Sequence, residues 1–128
     1  MMMRSDNGHV LQARDLHFAY RPDQQVLQGV SFSASTGKLS CILGPNGSGK
    51  TTLLRCLLRQ LKIDKGEILL DSRPLETYSA RMLARMIAYV PQFPTSAFAF
   101  TVGQVVMLGR TPHLSLMGFE SDIDHRVA

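Results

Sequence analysis

The sequence predicts an α/β fold, and three observations predict it. Apolar residues alternate in segments near the N-terminus. A short apolar run at residues 39–43 feeds a glycine-rich turn that opens into a leucine-striped helix. Two further runs of strand length, 67–71 and 87–90, then alternate with helical segments. Together these describe an antiparallel subsheet followed by the beginning of a parallel core with helices on it.

Taken in order, residues 1–9 read as a flexible N-terminus. From Val10 to Tyr20 the apolar positions Leu16, Phe18 and Tyr20 alternate, which predicts a half-exposed strand ending in an aromatic. Arg21-Pro22-Asp23-Gln24 is a turn, and Val26, Leu27, Val30 and Phe32 predict a second strand. Ser35-Thr36-Gly37-Lys38 links it to a predicted buried strand, Leu39-Ser40-Cys41-Ile42-Leu43. After the glycine-rich turn, Leu53, Leu54, Leu57, Leu58 and Leu61 fall on one helical face, and Asp64-Lys65-Gly66 breaks that helix. Glu67 to Asp71 predicts a strand and Ser72-Arg73-Pro74 a turn.

Ser79 is the expected N-cap of a helix reaching Met86, with Met82, Leu83 and Met86 inward. Ile87-Ala88-Tyr89-Val90 predicts a strand stopped by Pro91, with Gln92 just past its C-terminal end, the end at which doubly wound sheets bind ligands. Thr101-Val102-Gly103-Gln104 has the form of a capping box, opening a helix with Val102, Val105 and Val106 inside and Gly109 at its close. Thr111-Pro112-His113 is a turn. Ser121-Asp122-Ile123-Asp124 marks another helix start, and a chain that stops so soon afterwards looks cut.

Length and composition bound the class. One core fits in 128 residues. With 45% hydrophobic and 19% charged residues the chain is globular, not disordered. The net charge of +4 suits a polyanionic ligand, but the basic residues are scattered, which argues against a nucleic-acid surface. Cys41 and Cys56 lack metal-ligand spacing and read as reduced core residues of a cytoplasmic protein. No run approaches the roughly 20 apolar residues that cross a bilayer. Membrane association is therefore expected only through a partner.

The segment that carries chemistry is Gly44-Pro45-Asn46-Gly47-Ser48-Gly49-Lys50-Thr51-Thr52, which matches Gly, four residues, Gly-Lys-Ser/Thr. A triphosphate packed against backbone needs amides unobstructed by Cβ atoms, and Gly44, Gly47 and Gly49 supply them. The first helical turn adds unpaired N–H groups and a positive dipole end. Lys50 is placed to reach β- and γ-phosphates, Thr51 to ligand a bridging Mg²⁺, and Thr52 to donate one more hydrogen bond. A glycine turn that only capped a helix would not need the Lys-Thr pair.

With these pieces assembled, the chain from about Val10 onward resembles the ATP-binding subunit of an ABC transporter. The resemblance rests on Tyr20 at the end of the first strand, the loop at 44–52, and Ala88-Tyr89-Val90-Pro91-Gln92 as the Q-loop. Thr101-Val102 and Val105-Val106-Met107-Leu108-Gly109-Arg110-Thr111-Pro112-His113 look like the subgroup importing iron–siderophores, haem or vitamin B12. The fold implied is the P-loop NTPase fold of the ABC type, with residues 10–128 a partial nucleotide-binding domain lacking its C-terminal half. The cofactors implied are ATP and Mg²⁺.

By the same resemblance, Tyr20 stacks on adenine with Val26 packed nearby, and Gln92 approaches the Mg²⁺ and the attacking water. Residues around 93–117 touch membrane-spanning permease subunits on the cytoplasmic face of the bacterial inner membrane. A second nucleotide-binding subunit pairs head to tail, and a periplasmic binding protein acts indirectly. The family's signature Leu-Ser-Gly-Gly-Gln, its catalytic glutamate and its switch histidine do not occur in residues 1–128. The expectation is that this chain binds Mg-ATP weakly and does not turn it over. Two other readings compete: a different P-loop enzyme such as a small-molecule kinase or GTPase, which would want a lid or Asn-Lys-x-Asp that is not found, and a nucleotide-sensing docking module.

Overall fold

The computed structural model describes residues 11–92, 100–114 and 122–127. The expected flexible start at 1–9 lies outside them, as do Phe93, Phe98, Met117 and Ser121. The chain divides into two compact units, residues 1–78 and 79–128.

The first unit is built on an antiparallel sheet in the order β2-β1-β3-β4, from β1 (Leu11–Arg21), β2 (Gln24–Ala34), β3 (Lys65–Leu70) and β4 (Arg73–Pro74). The expected first two strands and their turn form as read: β1 and β2 close on the two-residue turn Pro22-Asp23, with Arg21 opposite Gln24. β3 and β4 close on Asp71-Ser72, both with positive φ (51° and 62°), the conformation that matches a tight turn to strand twist. Pro74, which lacks a donor, sits in the short edge strand, where no ladder bond is lost.

The inward face of β1 is Ala13, Leu16 and Phe18, a sequence that skips a step. A bulge explains the skip. Asp15 adopts φ 49°, the register slips between Arg14 and His17 against β3, and side chains beyond it change faces. Asp15 is tied down from three sides: its N–H donates to Ser31 Oγ (2.9 Å), Lys65 Nζ pairs with its Oδ2 (2.8 Å), and His17 Nε2 lies 3.0 Å from its Oδ1.

Lys65 first, and His17 second, hold the Asp15 carboxyl below the usual carboxylate range. A depressed folded-state value means this group contributes stability above its unfolded pKa and loses that contribution as pH falls through the folded value. Acid unfolding followed by circular dichroism should therefore be shallower in Asp15→Asn than in the unaltered chain below about pH 4. Identical acid limbs would contradict the linkage.

Helix α1 (Lys50–Leu57) packs Leu53, Cys56 and Leu57 into the core with Leu16, Leu27 and Ile68 to Leu70. It is about a turn shorter than the leucine stripe predicts. Arg59 takes φ 56°, and its Nη1 donates to Leu75 O (3.3 Å) and Tyr78 O (2.6 Å), where the chain turns away from the helix; Leu54, within α1, is exposed. Tyr78, buried below Arg73, donates its hydroxyl to Leu70 O at 2.8 Å.

Two expected strands do not form. Residues 39–43 and 87–90 have no strand pairing, with Leu39 92%, Leu43 90% and Val90 90% exposed. Cys41 is correspondingly exposed, not core, whereas Cys56 is buried. A parallel strand needs a hydrogen-bonded neighbour and, in a parallel sheet, layers on both faces. Among the described residues nothing takes those positions, and the apolar runs remain irregular, without strand pairing.

In the second unit Ser79 caps α2 (Ala80–Met86), its side chain accepting from Met82 N–H. Leu83 is buried, but Met82 is exposed. The capping box at Thr101 forms in both directions and opens α3 (Val102–Leu108), which ends at Gly109 as expected. The valines expected inside are outside: Val102, Val105 and Val106 are all exposed. No described element covers that face. The Thr111–His113 turn is a 3-10 segment gripped by α2, with Arg81 and Arg85 Nε donating to Pro112 O (2.9 and 2.8 Å) and Arg81 Nη2 to Leu114 O. From α4 (Asp122–Val127), Asp124 accepts from Arg110 Nε and Nη2 (3.0 and 2.8 Å) in a largely buried pair.

Candidate functional site: the phosphate-type loop and its surroundings

The loop at 44–52 is shaped by its glycines and closed by its lysine. Gly47 and Gly49 have φ of 82° and 87°, a region costly for residues with a Cβ. A Cβ on Gly44 would stand 2.7 Å from Ser48 Oγ, and one on Gly49 would stand 3.1 Å from Val26 Cγ1. Pro45 O accepts from Ser48 N–H (3.3 Å), which folds Pro45-Asn46-Gly47-Ser48 into a turn. Gly49 then acts as the N-cap of α1, its carbonyl taking the Leu53 N–H at 2.8 Å.

Lys50 lies across this loop. Its Nζ donates to Gly44 O (2.9 Å) and Pro45 O (2.6 Å) and approaches Ser48 Oγ at 3.5 Å. The ammonium thus sits among carbonyl dipoles, a ring of acceptors for which an anionic oxygen is a stronger competitor. No acidic residue occupies the first turn of α1, so the positive helix end is uncompensated there.

The strands deliver two more of the predicted residues to the same place. Val26, in β2, packs on Gly49. Tyr20, at the end of β1, is 48% exposed, meets Phe18 edge-to-face at a centroid distance of 4.9 Å, and brings its hydroxyl to 3.3 Å from Thr52 Oγ1. Thr52 is buried, so its hydroxyl is engaged with Tyr20, whereas Thr51 is exposed in the first turn. The first unit therefore gathers Tyr20, Val26 and 44–52. Gln92 is exposed in the second unit.

The residues present suit a magnesium nucleotide in part. The glycines leave room where Cβ atoms would stand, and the loop-bound Lys50 ammonium and the exposed Thr51 flank the helix start. Among the described residues no group of three His, Cys, Asp or Glu is placed to hold a metal alone. A divalent ion here would depend on Thr51 and on oxygens that arrive with the nucleotide.

From the sequence, Asp64 is expected only as part of a helix stop. The structure gives it more to do: its Oδ2 accepts from Ala19 N–H (2.8 Å) and its own N–H donates to His17 O (2.9 Å), immediately beside Tyr20. The only signal was an acceptor side chain placed just before a strand, which local pattern alone does not distinguish from a turn residue.

Comparison with known proteins matches residues 27–126 to the ABC transporter family model. The chain belongs to the ABC transporter family. The matched span runs from β2 through the loop at 44–52 and both units. Over 106 residues the chain is 41% identical to the hemin import ATP-binding protein HmuV of Pseudomonas fluorescens (strain Pf0-1), covering 83% of this chain and 41% of that protein. Over 111 residues it is 42% identical to the "Probable iron chelatin transport ATP-binding protein" of Helicobacter pylori (strain ATCC 700392 / 26695), covering 84% and 42%.

Among solved structures, a bacterial Atm1-family ABC exporter with ATP bound superposes with a TM-score of 0.74 at 31% identity, covering 81% of this chain and 18% of that one. The chain thus spans less than half the length of the curated relatives it matches. The fold class read from the sequence holds as that of an ABC ATPase domain. Its antiparallel subsheet is formed, and its parallel strands are not formed among the described residues. No helix among those residues is long and apolar enough to cross a membrane.

Proposed function

We propose that these residues are the nucleotide-gripping part of the ATP-binding subunit of an ABC importer for haem or iron–siderophore-type substrates. The observation that carries the reading is the convergence of Tyr20, Val26 and Lys50 on one glycine-built loop at the start of α1. The α1 amides and the Lys50 ammonium hold the phosphate tail, and Tyr20 holds the base against the end of β1. Thr51 would offer its hydroxyl to a Mg²⁺, which would supply charge neutralisation for the phosphates. Gln92 reports nucleotide state toward permease subunits docked around residues 93–117. The iron and haem assignment draws on the names of the relatives, and it carries with it a head-to-tail partner subunit, a periplasmic binding protein and a place on the cytoplasmic face of the membrane.

Stabilising phosphate charge is only half of hydrolysis. Activating the water needs a positioned base, and no carboxylate among residues 44–52 supplies one. The purified chain should bind Mg-ATP in preference to Mg-GTP in displacement of a fluorescent nucleotide and release no phosphate in the steady state. Preference for GTP would favour a different P-loop enzyme. Sustained phosphate release abolished by Lys50→Ala would contradict the division of labour proposed here.

A further inference from the structure

β1 outruns its neighbour. Its partner β3 begins at Lys65, which sits opposite His17, so residues 18–21 of β1 have no β3 backbone beside them. Asp64 fills the gap. Its backbone N–H continues the ladder to His17 O at 2.9 Å, and its carboxylate takes the next N–H on that side, that of Ala19, at 2.8 Å. Charge-assisted bonds of this kind are shorter and roughly twice as strong as neutral ones. One residue further along the strand is Tyr20, whose hydroxyl reaches Thr52 Oγ1 at 3.3 Å. Asp64 and Tyr20 also share the lining of one open cavity of about 470 Å³, with Ala19, Arg21, Pro22 and Gln25.

We propose that Asp64 is a positioning residue for the Tyr20 ring: by capping the unpaired end of β1 it sets the height and tilt at which the ring meets a nucleotide base. Without the cap, the end of β1 would be held on the β2 side alone and Tyr20 would swing with it. The role rests on the nucleotide reading above. It concerns the base and not the phosphates, because the hydrogen bonds of Asp64 described above go to the end of β1, at His17 and Ala19. This separates it from a residue that merely holds the domain together.

The test is competitive displacement of a fluorescent ATP analogue from the chain by Mg-ATP and, separately, by Mg-tripolyphosphate. Asp64→Ala should raise the apparent Kd for ATP about five- to tenfold, with tripolyphosphate unchanged within about twofold. Asp64→Asn, whose amide oxygen can still accept the Ala19 N–H, should recover most of the loss. In a Tyr20→Ala background, Asp64→Ala should cost nothing further. Equal loss of both ligands, an unchanged ATP Kd, or the same loss in the Tyr20→Ala background would each overturn the proposal. Failure of the underlying reading would show first in the unaltered chain, as ATP binding no tighter than tripolyphosphate.

Discussion

Lys50→Ala should lower the affinity of the chain for Mg-ATP on the order of ten- to a hundredfold, the worth of one or two charge-assisted hydrogen bonds to phosphate. The size follows from what the ammonium already does. It makes two short bonds to Gly44 O and Pro45 O within the loop, so it is held at the spot instead of being recruited from solvent. Little side-chain entropy remains to be lost when phosphate oxygens replace the carbonyls. Lys50→Arg should not rescue binding, because a planar fork cannot fit where a compact point charge sits between two carbonyls. Displacement of a fluorescent nucleotide measures both variants. An Arg variant equal to Lys would mean that net charge alone, and not this geometry, carries affinity.

Gly66→Ala should destabilise the first unit by about 3 kcal/mol or more, a large share of the total stability of a small domain. Two penalties coincide at this residue. Its φ is 99°, and an added Cβ would stand 2.3 Å from Asp15 O and 2.5 Å from Arg14 O. These are backbone atoms of the β1 bulge, fixed by Ser31, Lys65 and His17, so they cannot yield as a flexible side-chain tip would. Gly37→Ala is the control, since its φ is 69° but nothing lies within 4 Å of its Cβ position. That variant should lose only about 1 kcal/mol, from conformational strain alone. Urea unfolding of both separates steric from torsional cost, and equal midpoints would remove the bulge from the account.

These predictions divide along what local sequence can express. The β1–β2 hairpin, the capping box at Thr101 and the 44–52 loop were legible because each is encoded within a few residues by alternation, a reciprocal Thr/Gln pair, or glycines with Lys-Thr. The bulge at Asp15 was not, since its supports Ser31, Lys65 and Gly66 come from other strands. Asp64 was missed for the same reason. The apolar runs at 39–43 and 87–90 failed in the opposite sense. Their composition suits a buried parallel strand, but burial depends on flanking strands far away in sequence, which the described residues do not provide. The exposed valines of α3 follow the same logic: a helical stripe says which face is apolar, not that something covers it.

Under the proposed function, main-chain amides at the start of α1 and the Lys50 ammonium grip a nucleotide's phosphates. Titration calorimetry of the purified chain with ATP, with and without Mg²⁺, tests it most directly. The prediction is one saturable magnesium-dependent site per chain, weakened about ten- to a hundredfold in Lys50→Ala. Heat of binding that is absent, or that persists undiminished in Lys50→Ala, would contradict it.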